Sequence, residues 1–558
     1  MSKDASSCSI GQASSQLEAG EMVEKHLPLG QTEMPGHDFD TQKIGGAGAQ
    51  DETRYLTGLK LFLAMISITL LILLTMLDIS IIGTAVPQIT SDFHSLEDIS
   101  WYSGAYQLAS ATVQPLTGKI YTYFSIKWTL LAFVLIFEIG SAICGAAQSS
   151  LMLIIGRAVA GLGCSGLMNG CLTLIFGAVT PEKRTFYTSI AMGVGQIGIV
   201  FGPFLGGIFT EHASWRWCFY INLPLGGLAA LLIKEPATLS LVAKLIPDFD
   251  LFGFALLAPA SLMLLLALQF GASNYSWNSA TVIGLFCGSA LSAGLFIVWE
   301  RRVGEKAMIP LRILSQTAIW TSCLYYAFLI AVTTGGGYFL PIYLQSVKGL
   351  SPTMSAVYML PTILLSVVYV IFSGALMPKF GYYIPWAAFA SGGTAIGCGL
   401  ISTWTPNTTL GQLIGYQIIF ALRGFGMQMS TVAIQNALPP SEIAIGNSML
   451  VFSQSLFGAI LITAANTVFQ ESLKTNIKNE TPSIDPIAAI AAGGSSEAVR
   501  ALAPAGGELL RSVLDVYSKS MGNVYYLLVG ACVVSLAVSF GMGWVDVRRE
   551  KATGVGPK

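Results

Sequence analysis

Fourteen stretches of this chain are apolar for long enough to cross a lipid bilayer, and that one feature decides what it can fold into. They fall near 61–86, 101–123, 128–147, 151–178, 186–210, 215–233, 249–270, 280–299, 317–345, 352–376, 383–402, 410–437, 446–469 and 523–544. A hydrocarbon core roughly 30 Å thick takes about 20 residues of α-helix. Backbone N–H and C=O groups find no water there, so helices that satisfy their own hydrogen bonds are the economical way across. The expected fold is therefore all-α and polytopic. Composition agrees: 53% of residues are apolar and 11% charged, against about 25% charged in soluble domains. Mean hydropathy is +0.65. A cytosolic enzyme, a nucleic-acid binder and a disulfide-rich secreted module are all poor fits to such a chain.

The spans have a direction. With the N-terminus inside, the short inner loops hold Lys119, Lys127, Lys183, Arg184, Lys234, Lys244, Arg301, Arg302, Lys306, Arg312 and Lys379. The short outer loops hold Arg216 and Lys348. That asymmetry obeys the positive-inside rule and puts both termini in the cytoplasm. Tryptophans cluster near span ends, as at Trp101, Trp128, Trp299 and Trp404, where amphipathic rings favour the headgroup zone. The three glycosylation sequons, at Asn274, Asn407 and Asn479, all fall on the outer side in this topology. Residues 1–58 carry nine acidic and four basic side chains and no apolar run. They read as a disordered cytoplasmic tail rather than a secretory signal, leaving the first span as an uncleaved anchor.

The division that follows is a six-helix bundle over 59–235, cytoplasmic loops and a central helix pair over 236–312, and a second six-helix bundle over 313–546. A long outer loop at 471–522 interrupts the second bundle, and a short tail at 547–558 closes the chain. A weak internal repeat supports this 6 + 2 + 6 arrangement. IIGRAVAGLGCSG (154–166) and FALRGFGMQMS (420–430) each set an arginine, Arg157 or Arg423, among glycines in an apolar helix. The next span in each half carries a glutamine before glycine, Gln196 with Gly198 and Gln454 with Gly458. Repeated helical halves are common in secondary transporters, which bind substrate between the repeats.

Three segments carry chemistry. LDISIIGTAVPQI (77–89) places the carboxyl of Asp78 among apolar residues, where a charge is costly unless it is paired, hydrated or protonated. It is either a proton or cation site or a structural hydrogen-bonding group. Arg157, always charged, should face the bundle interior and find a carboxylate or carbonyls, with Asp78 and Glu138 as the possible acids. Glu138 itself is either a second proton carrier or a structurally bonded or snorkelling side chain. In GVGQIGIVFGPFLGGIF (193–209), Gly198, Gly202, Gly206 and Gly207 surround Pro203. Small residues at this spacing allow close helix packing, and proline removes one backbone bond. The segment reads as ordinary packing or as a bending seam. A fourth stretch, GKIYTYFSIKW (118–128), is a cytoplasmic hinge or plain charge anchoring.

Absences narrow the choice further. All four histidines lie outside the spans, and neither HExxH nor a phosphate-binding GxxxxGK[ST] is present. No metal, no cofactor and no ATP site is expected, so transport would draw on an ion gradient. Eight of nine cysteines lie in apolar stretches without a CxxC pair and read as small apolar residues. Tyr325, Tyr326, Phe328, Tyr338, Phe339, Tyr343, Tyr358 and Tyr369 either line an apolar cavity suited to hydrophobic cargo or pack helices.

On these motifs the chain resembles the major facilitator superfamily, and within it the fourteen-span drug:H⁺ antiporter branch, especially fungal multidrug and mycotoxin efflux pumps. LDISIIGTAVPQI is similar to that branch's span-1 motif, LIIGRAVAGLGCSG to its span-4 arginine motif, and GQIGIVFGPFLGG to its span-5 antiporter motif. ALRGFGMQ and AIGNSMLVFSQSLFGA resemble the second half of the fungal members. The likeness covers roughly 55–545. Two positions depart from the superfamily pattern. Thr122 and Tyr123 stand where the loop 2–3 motif has an Asp-Arg pair, and Ala160 stands where the span-4 motif has glutamine. The resemblance implies a secondary transporter, not an enzyme. It would exchange protons for hydrophobic small molecules by alternating access, as a monomer in the bilayer of a plasma membrane or, alternatively, a vacuole. Asp78, Glu138 and Arg157 would couple the proton. The other reading is a carrier of siderophores, polyamines or basic amino acids.

Overall fold

The computed structural model describes residues 55–93, 98–233, 250–273, 275–492, 496–503 and 507–547. Nearly all of the tail at 1–58, the loop at 234–249, Asn274 and the end at 548–558 lie outside them.

No strand occurs among the described residues. The first group comprises α1 (Gly58–Phe93), α2 (Ile99–Tyr123), α3 (Ile126–Gly145), α4 (Ser150–Ala178), α5 (Pro181–His212), α6 (Trp217–Tyr220) and α7 (Asn222–Leu232). A hairpin follows, α8 (Leu251–Ser273) and α9 (Ala280–Val303), then the short α10 (Leu311–Leu314). The second group begins with α11 (Thr317–Ser346), α12 (Pro352–Phe380) and α13 (Ile384–Ile401). It continues with α14 (Leu410–Phe420), a 3₁₀ stretch Ala421–Gly426, and α15 (Met429–Ala437). It ends with α16 (Ile443–Glu480), α17 (Pro486–Ala492), α18 (Ser496–Ala501) and α19 (Gly507–Ser539).

Among the described residues, eleven helices are long and apolar enough to cross a membrane. The other three expected spans are helical but less simple. α2 is more polar, carrying Gln107, Gln114 and Lys119. Residues 217–232 break into α6 and α7, and 410–437 into α14, the 3₁₀ stretch and α15.

The segment read as an outer loop holds more helix than its composition suggests. α16 runs on to Glu480 and α19 starts at Gly507. The extensions pack on each other through buried Phe469, Leu473, Ile477, Val513, Val516 and Tyr517. Lys519 reaches Glu480 at 2.7 Å, and the Asn476 amide donates to the Ser520 hydroxyl at 3.1 Å. The apolar positions recur every three or four residues, one stripe on a polar helix, so averaged hydropathy hides them.

Close helix pairs are made by glycine. A Cβ on Gly163 of α4 would come 2.6 Å from the Phe137 Cα of α3, and one on Gly140 of α3 would come 2.6 Å from the Ala160 Cα of α4. In the second group Gly397 of α13 meets the Phe420 Cα of α14 in the same way, at 2.6 Å.

Up-and-down succession gathers the loops around 124, 179, 304–316, 381 and 438–442 at one end, with most of the lysines and arginines named above; we call it the basic end. Backbone bonds tie it together, from the Leu56 amide to the Ala178 carbonyl at 3.0 Å and from the Val547 amide to the Gly381 carbonyl at 2.9 Å. Arg312 pairs with both Glu305 and Glu442 there.

The α8–α9 hairpin is closed by the Ser289 and Ser292 hydroxyls, which donate to the carbonyls of Ala260 and Leu256 at 2.7 Å each. α8 lies against both groups. Its Leu265 packs with Leu108 and Ala111 of α2, beside Leu456 and Ala459 of α16.

Overpacking tests the glycine joints, since an inserted side chain has no void to enter. Gly163→Leu should sharply lower the yield of monodisperse protein in detergent, measured by fluorescence-detected size exclusion. Gly227→Ala, where a Cβ meets nothing within 4 Å, should not.

Candidate functional site

Asp78 and Arg157 meet in the interior of the first group. The Arg157 guanidinium Nη1 lies 2.7 Å from Asp78 Oδ2, with both side chains at most 1% exposed. Two charges in an apolar bundle are tolerable only when paired and otherwise hydrogen-bonded, and each group here has further partners. Arg157 Nε donates to the Tyr102 carbonyl at 2.9 Å. The guanidinium also lies 4.2 Å from the Tyr106 ring centre and 5.9 Å from that of Phe219, a cation–π arrangement. The second oxygen of Asp78 accepts from the Asn222 amide at 2.9 Å. That amide also donates to the Ser141 hydroxyl at 3.1 Å.

The site therefore draws Asp78 from α1, Tyr102 from α2, Ser141 from α3, Arg157 from α4 and Asn222 from α7. Gly161 makes the approach possible: a Cβ there would come within 3.0 Å of the Tyr106 backbone, so α4 packs directly on α2. Sequence reasoning left Arg157 a choice between Asp78 and Glu138, and the structure gives it Asp78. It missed Asn222 and Ser141. Asn222, a lone amide opening the apolar run NLPLGGLAALL, was the available signal. The Tyr102 carbonyl had none, since any residue supplies one.

Glu138 stands apart from the ion pair. Both of its oxygens are buried and have no hydrogen-bond partner among the described residues. It faces Gly226 of α7, where a Cβ would overlap its carboxyl.

The second-half arginine is held differently. Arg423, 4% exposed, lies in the 3₁₀ stretch and donates to the Thr362 hydroxyl at 3.1 Å and the Phe420 carbonyl at 3.0 Å. It stacks 4.3 Å from the Phe420 ring centre. No carboxylate pairs with it among the described residues. Gln454 lies on α16 with its carbonyl oxygen buried and unpartnered, within a run, 452–464, that is part-buried throughout.

The glycine-rich segment forms a seam between α5 and α1. A Cβ on Gly198 would stand 2.7 Å from the Leu73 carbonyl, one on Gly202 2.9 Å from the Ile81 nitrogen, and one on Gly206 2.6 Å from the Ile81 carbonyl. Gly207 faces open space and is not part of the seam. α5 stays helical through Pro203. The Ser80 hydroxyl of α1 donates to the Gly198 carbonyl at 3.2 Å.

The two groups join at the basic end. Gln428 donates to the Ser189 hydroxyl of α5 at 2.6 Å, to the Val370 carbonyl at 2.8 Å and to the Ser373 hydroxyl at 3.2 Å. A Cβ on Gly118 of α2 would lie 3.0 Å from the Ile445 Cα of α16. Lys119 Nζ donates to the Lys306 carbonyl at 2.9 Å. Thr122, where the resemblance leads one to look for an acid, donates to the Gly118 carbonyl at 2.9 Å. The junction beside Ser189 is thus built from neutral groups.

Of the aromatic residues, Tyr325, Phe339 and Tyr343 are at most 1% exposed and pack the core. Tyr369 stacks on Phe425 at 4.7 Å. Phe328 pairs with Phe457 at 5.3 Å across α11 and α16. Asn407 and Asn479 are exposed.

The profile of the Major Facilitator Superfamily matches residues 68–462, which include every element of this site. The chain belongs to the Major Facilitator Superfamily. It is a multi-pass membrane transporter rather than an enzyme. Solved major facilitator structures share the fold at low identity. The proton:xylose symporter XylE superposes with a TM-score of 0.55 at 13% identity, covering 88% of this chain and 99% of its own. Human MFSD10, an organic anion transporter, gives 0.55 at 11%, covering 85% and 100%. Curated relatives are much nearer in sequence. The MFS-type transporter calB of Penicillium decumbens is 48% identical over 92% of this chain and 93% of its own length. The efflux pump mokI of Monascus pilosus is 44% identical over 94% and 99%.

Breaking a buried ion pair from one side strands a charge and costs about 3–5 kcal/mol, whereas removing both partners is often nearly neutral. Arg157→Ala should therefore lower the detergent melting temperature well below that of Asp78→Ala/Arg157→Ala, by differential scanning fluorimetry.

Proposed function

We propose that this chain is a proton-driven exporter of hydrophobic small molecules, of the kind its relatives named as efflux pumps represent. The observation that carries the proposal is the Asp78–Arg157 pair: a carboxylate sealed inside the bundle and held by a cation that cannot lose its proton. Such an acid has two states with different consequences for packing. Ionised, it binds Arg157 and Asn222 and draws α1, α4 and α7 together. Protonated, it is neutral, the attraction to Arg157 falls away, and the Tyr102 carbonyl and Tyr106 ring are left to hold the guanidinium.

The positive-inside rule supports placing the basic end in the cytoplasm. The two bundles join at that end, so the state described here is closed toward the cytoplasm. A proton from outside, reaching Asp78 before the state described here, would weaken the α1–α4 attachment and favour reopening inward. The Gly198–Gly202–Gly206 seam lets α5 move over α1 without prising side chains apart, and Pro203 leaves one backbone carbonyl free to accommodate bending. Cargo would sit between the bundles near Phe328 and Phe457, with part-buried Gln454 offering a hydrogen-bonding group on α16. Arg423 serves as a fixed charge of the second bundle. The protein works as a monomer at the plasma membrane, and Asn407 and Asn479 are open to glycosylation on the outer side.

The first test uses inside-out vesicles with an acid interior and a panel of hydrophobic dyes. Wild-type protein should accumulate dye and lose that activity with a protonophore. Asp78→Asn, expressed and folded, should reduce accumulation by at least about a hundredfold. Gradient-driven uptake persisting in that variant would sink the coupling assignment.

The second test addresses closure. Ser189→Cys/Gly374→Cys joins two positions in contact across α5 and α12. Oxidation should stop transport, and reduction should restore it. Full activity of the oxidised, cross-linked protein would rule out opening at the basic end.

A further inference from the structure

The carboxyl of Glu138 is left in an electrostatic position that its neighbours do not relieve. It lies on α3 in the interior of an apolar bundle, and both oxygens are shielded without a hydrogen-bond partner among the described residues. An ionised carboxylate there would have no donor among the described residues to offset its desolvation, and we take the group to carry a proton in this state. Its seat is specific. A Cβ at Gly226 would overlap the carboxyl, so the glycine opens a slot of the right size on α7.

The slot adjoins the ion pair. Ser141 is three residues from Glu138 on α3, and Asn222 is four from Gly226 on α7, so each lies on the same helix face about one turn, ~5.4 Å, away. Ser141 and Asn222 are bonded to each other at 3.1 Å, and Asn222 is bonded to Asp78 at 2.9 Å. Two carboxyls thus flank one serine–asparagine pair. The Asn222 carbonyl oxygen is itself buried and unpartnered. The titratable and charged groups around the pair and the slot include Asp78 on α1, Tyr106 on α2, Cys144 on α3, Arg157 and Cys164 on α4, and Cys218 on α6. Arg157 is the cation among them.

We propose that Glu138 is the inner station of a proton path that runs from Asp78 through the first bundle, behind the cargo cavity rather than through it. This rests on the reading of Asp78 as the group that takes the proton from outside. In this structure Ser141 bonds Asn222 and touches neither acid through a hydrogen bond. The hand-over belongs to the preceding state, in which the Ser141 hydroxyl bridges the two acids, the O–H bond of protonated Asp78 breaks, and Ser141 accepts that proton as it passes its own to the Glu138 carboxylate, forming the new O–H bond there. Asn222 orients the two ends, since a hydroxyl can both donate and accept whereas an amide N–H donates only. One proton has moved and the total charge of the group is unchanged. Asp78, now ionised, recovers Arg157. The geometry described here, with Asp78 paired and Glu138 isolated, is the state after hand-over.

Dicyclohexylcarbodiimide, which modifies protonated carboxyls in apolar surroundings, tests this without a known cargo. Full-length protein in lipid nanodiscs is treated at neutral pH, and modified peptides are mapped by mass spectrometry. In wild type, Glu138 should be modified and Asp78 should not. Asp78→Asn imitates protonated Asp78 and frees Arg157 to hold an ionised Glu138, so modification of Glu138 should fall about tenfold. Equal modification in both proteins would make Glu138 an isolated acid and overturn the path, leaving the reading of Asp78 intact. Modification of Asp78 but not of Glu138 in wild type would overturn it too. The vesicle assay supplies a second measurement should Asp78→Asn fold poorly. Glu138→Gln should cut gradient-driven dye uptake roughly tenfold or more with an unchanged melting temperature, and Glu138→Asp should recover part of it. Uptake at the wild-type rate in Glu138→Gln would refute the path, whereas loss of the Asp78 reading shows only as coupled uptake in Asp78→Asn.

Discussion

A carboxylate and a guanidinium buried in an apolar bundle can persist only in each other's company, and much of the first half of this protein is arranged to keep them so. Desolvating either ion alone costs several kcal/mol. α1, α2, α3, α4 and α7 all contribute a group to the pair or to its partners. The glycines on α4 serve the same end, since Gly161 and Gly163 let α4 approach α2 and α3 closely enough for main-chain and side-chain groups to reach inward. Under the proposed coupling, neutralising the acid would loosen several helix contacts together and give a single proton a mechanical effect.

The closure at the basic end rests on different physics. Ser189, Ser373 and Gln428 are neutral, and their bonds are short and local. Neutral hydrogen bonds contribute about 1 kcal/mol each in net terms, so such a junction closes firmly enough to be populated and still opens on a transport timescale. Amides and serine hydroxyls do not titrate near neutral pH, so this contact is independent of proton binding. At Ser189 the bundles meet through packing and neutral hydrogen bonds, while Lys119 adds one charged donor, to the Lys306 carbonyl.

Much of this was legible in the sequence, for identifiable reasons. Long apolar runs have one solution in a bilayer, so the helical class and the places of most helices followed directly. Asp78 and Arg157 stood out because charge in an apolar run demands a partner. Gly198, Gly202 and Gly206 stood out because their spacing repeats the helix turn, whereas Gly207, one residue on, necessarily points elsewhere. What stayed hidden needs three dimensions. The helical extensions of α16 and α19 carry apolar stripes on polar helices, which averaged hydropathy erases. Asn222 and Ser141 gain meaning only where α7 and α3 cross beside α1. The likeness between Arg157 and Arg423 is real in sequence and in burial, but the partners differ, because the second bundle offers Arg423 a hydroxyl and a carbonyl where the first offers a carboxylate.

The inserted hairpin has a mechanical consequence. α8 touches α2 of one bundle and α16 of the other through Leu265 and its aliphatic neighbours. Dispersion contacts between aliphatic groups have no preferred direction, so they can be exchanged for equivalent ones as the surfaces slide. The hairpin therefore behaves as a gasket. If the bundles tilt as proposed, it would keep the α2–α16 flank filled with protein and exclude lipid tails and water from the seam between them.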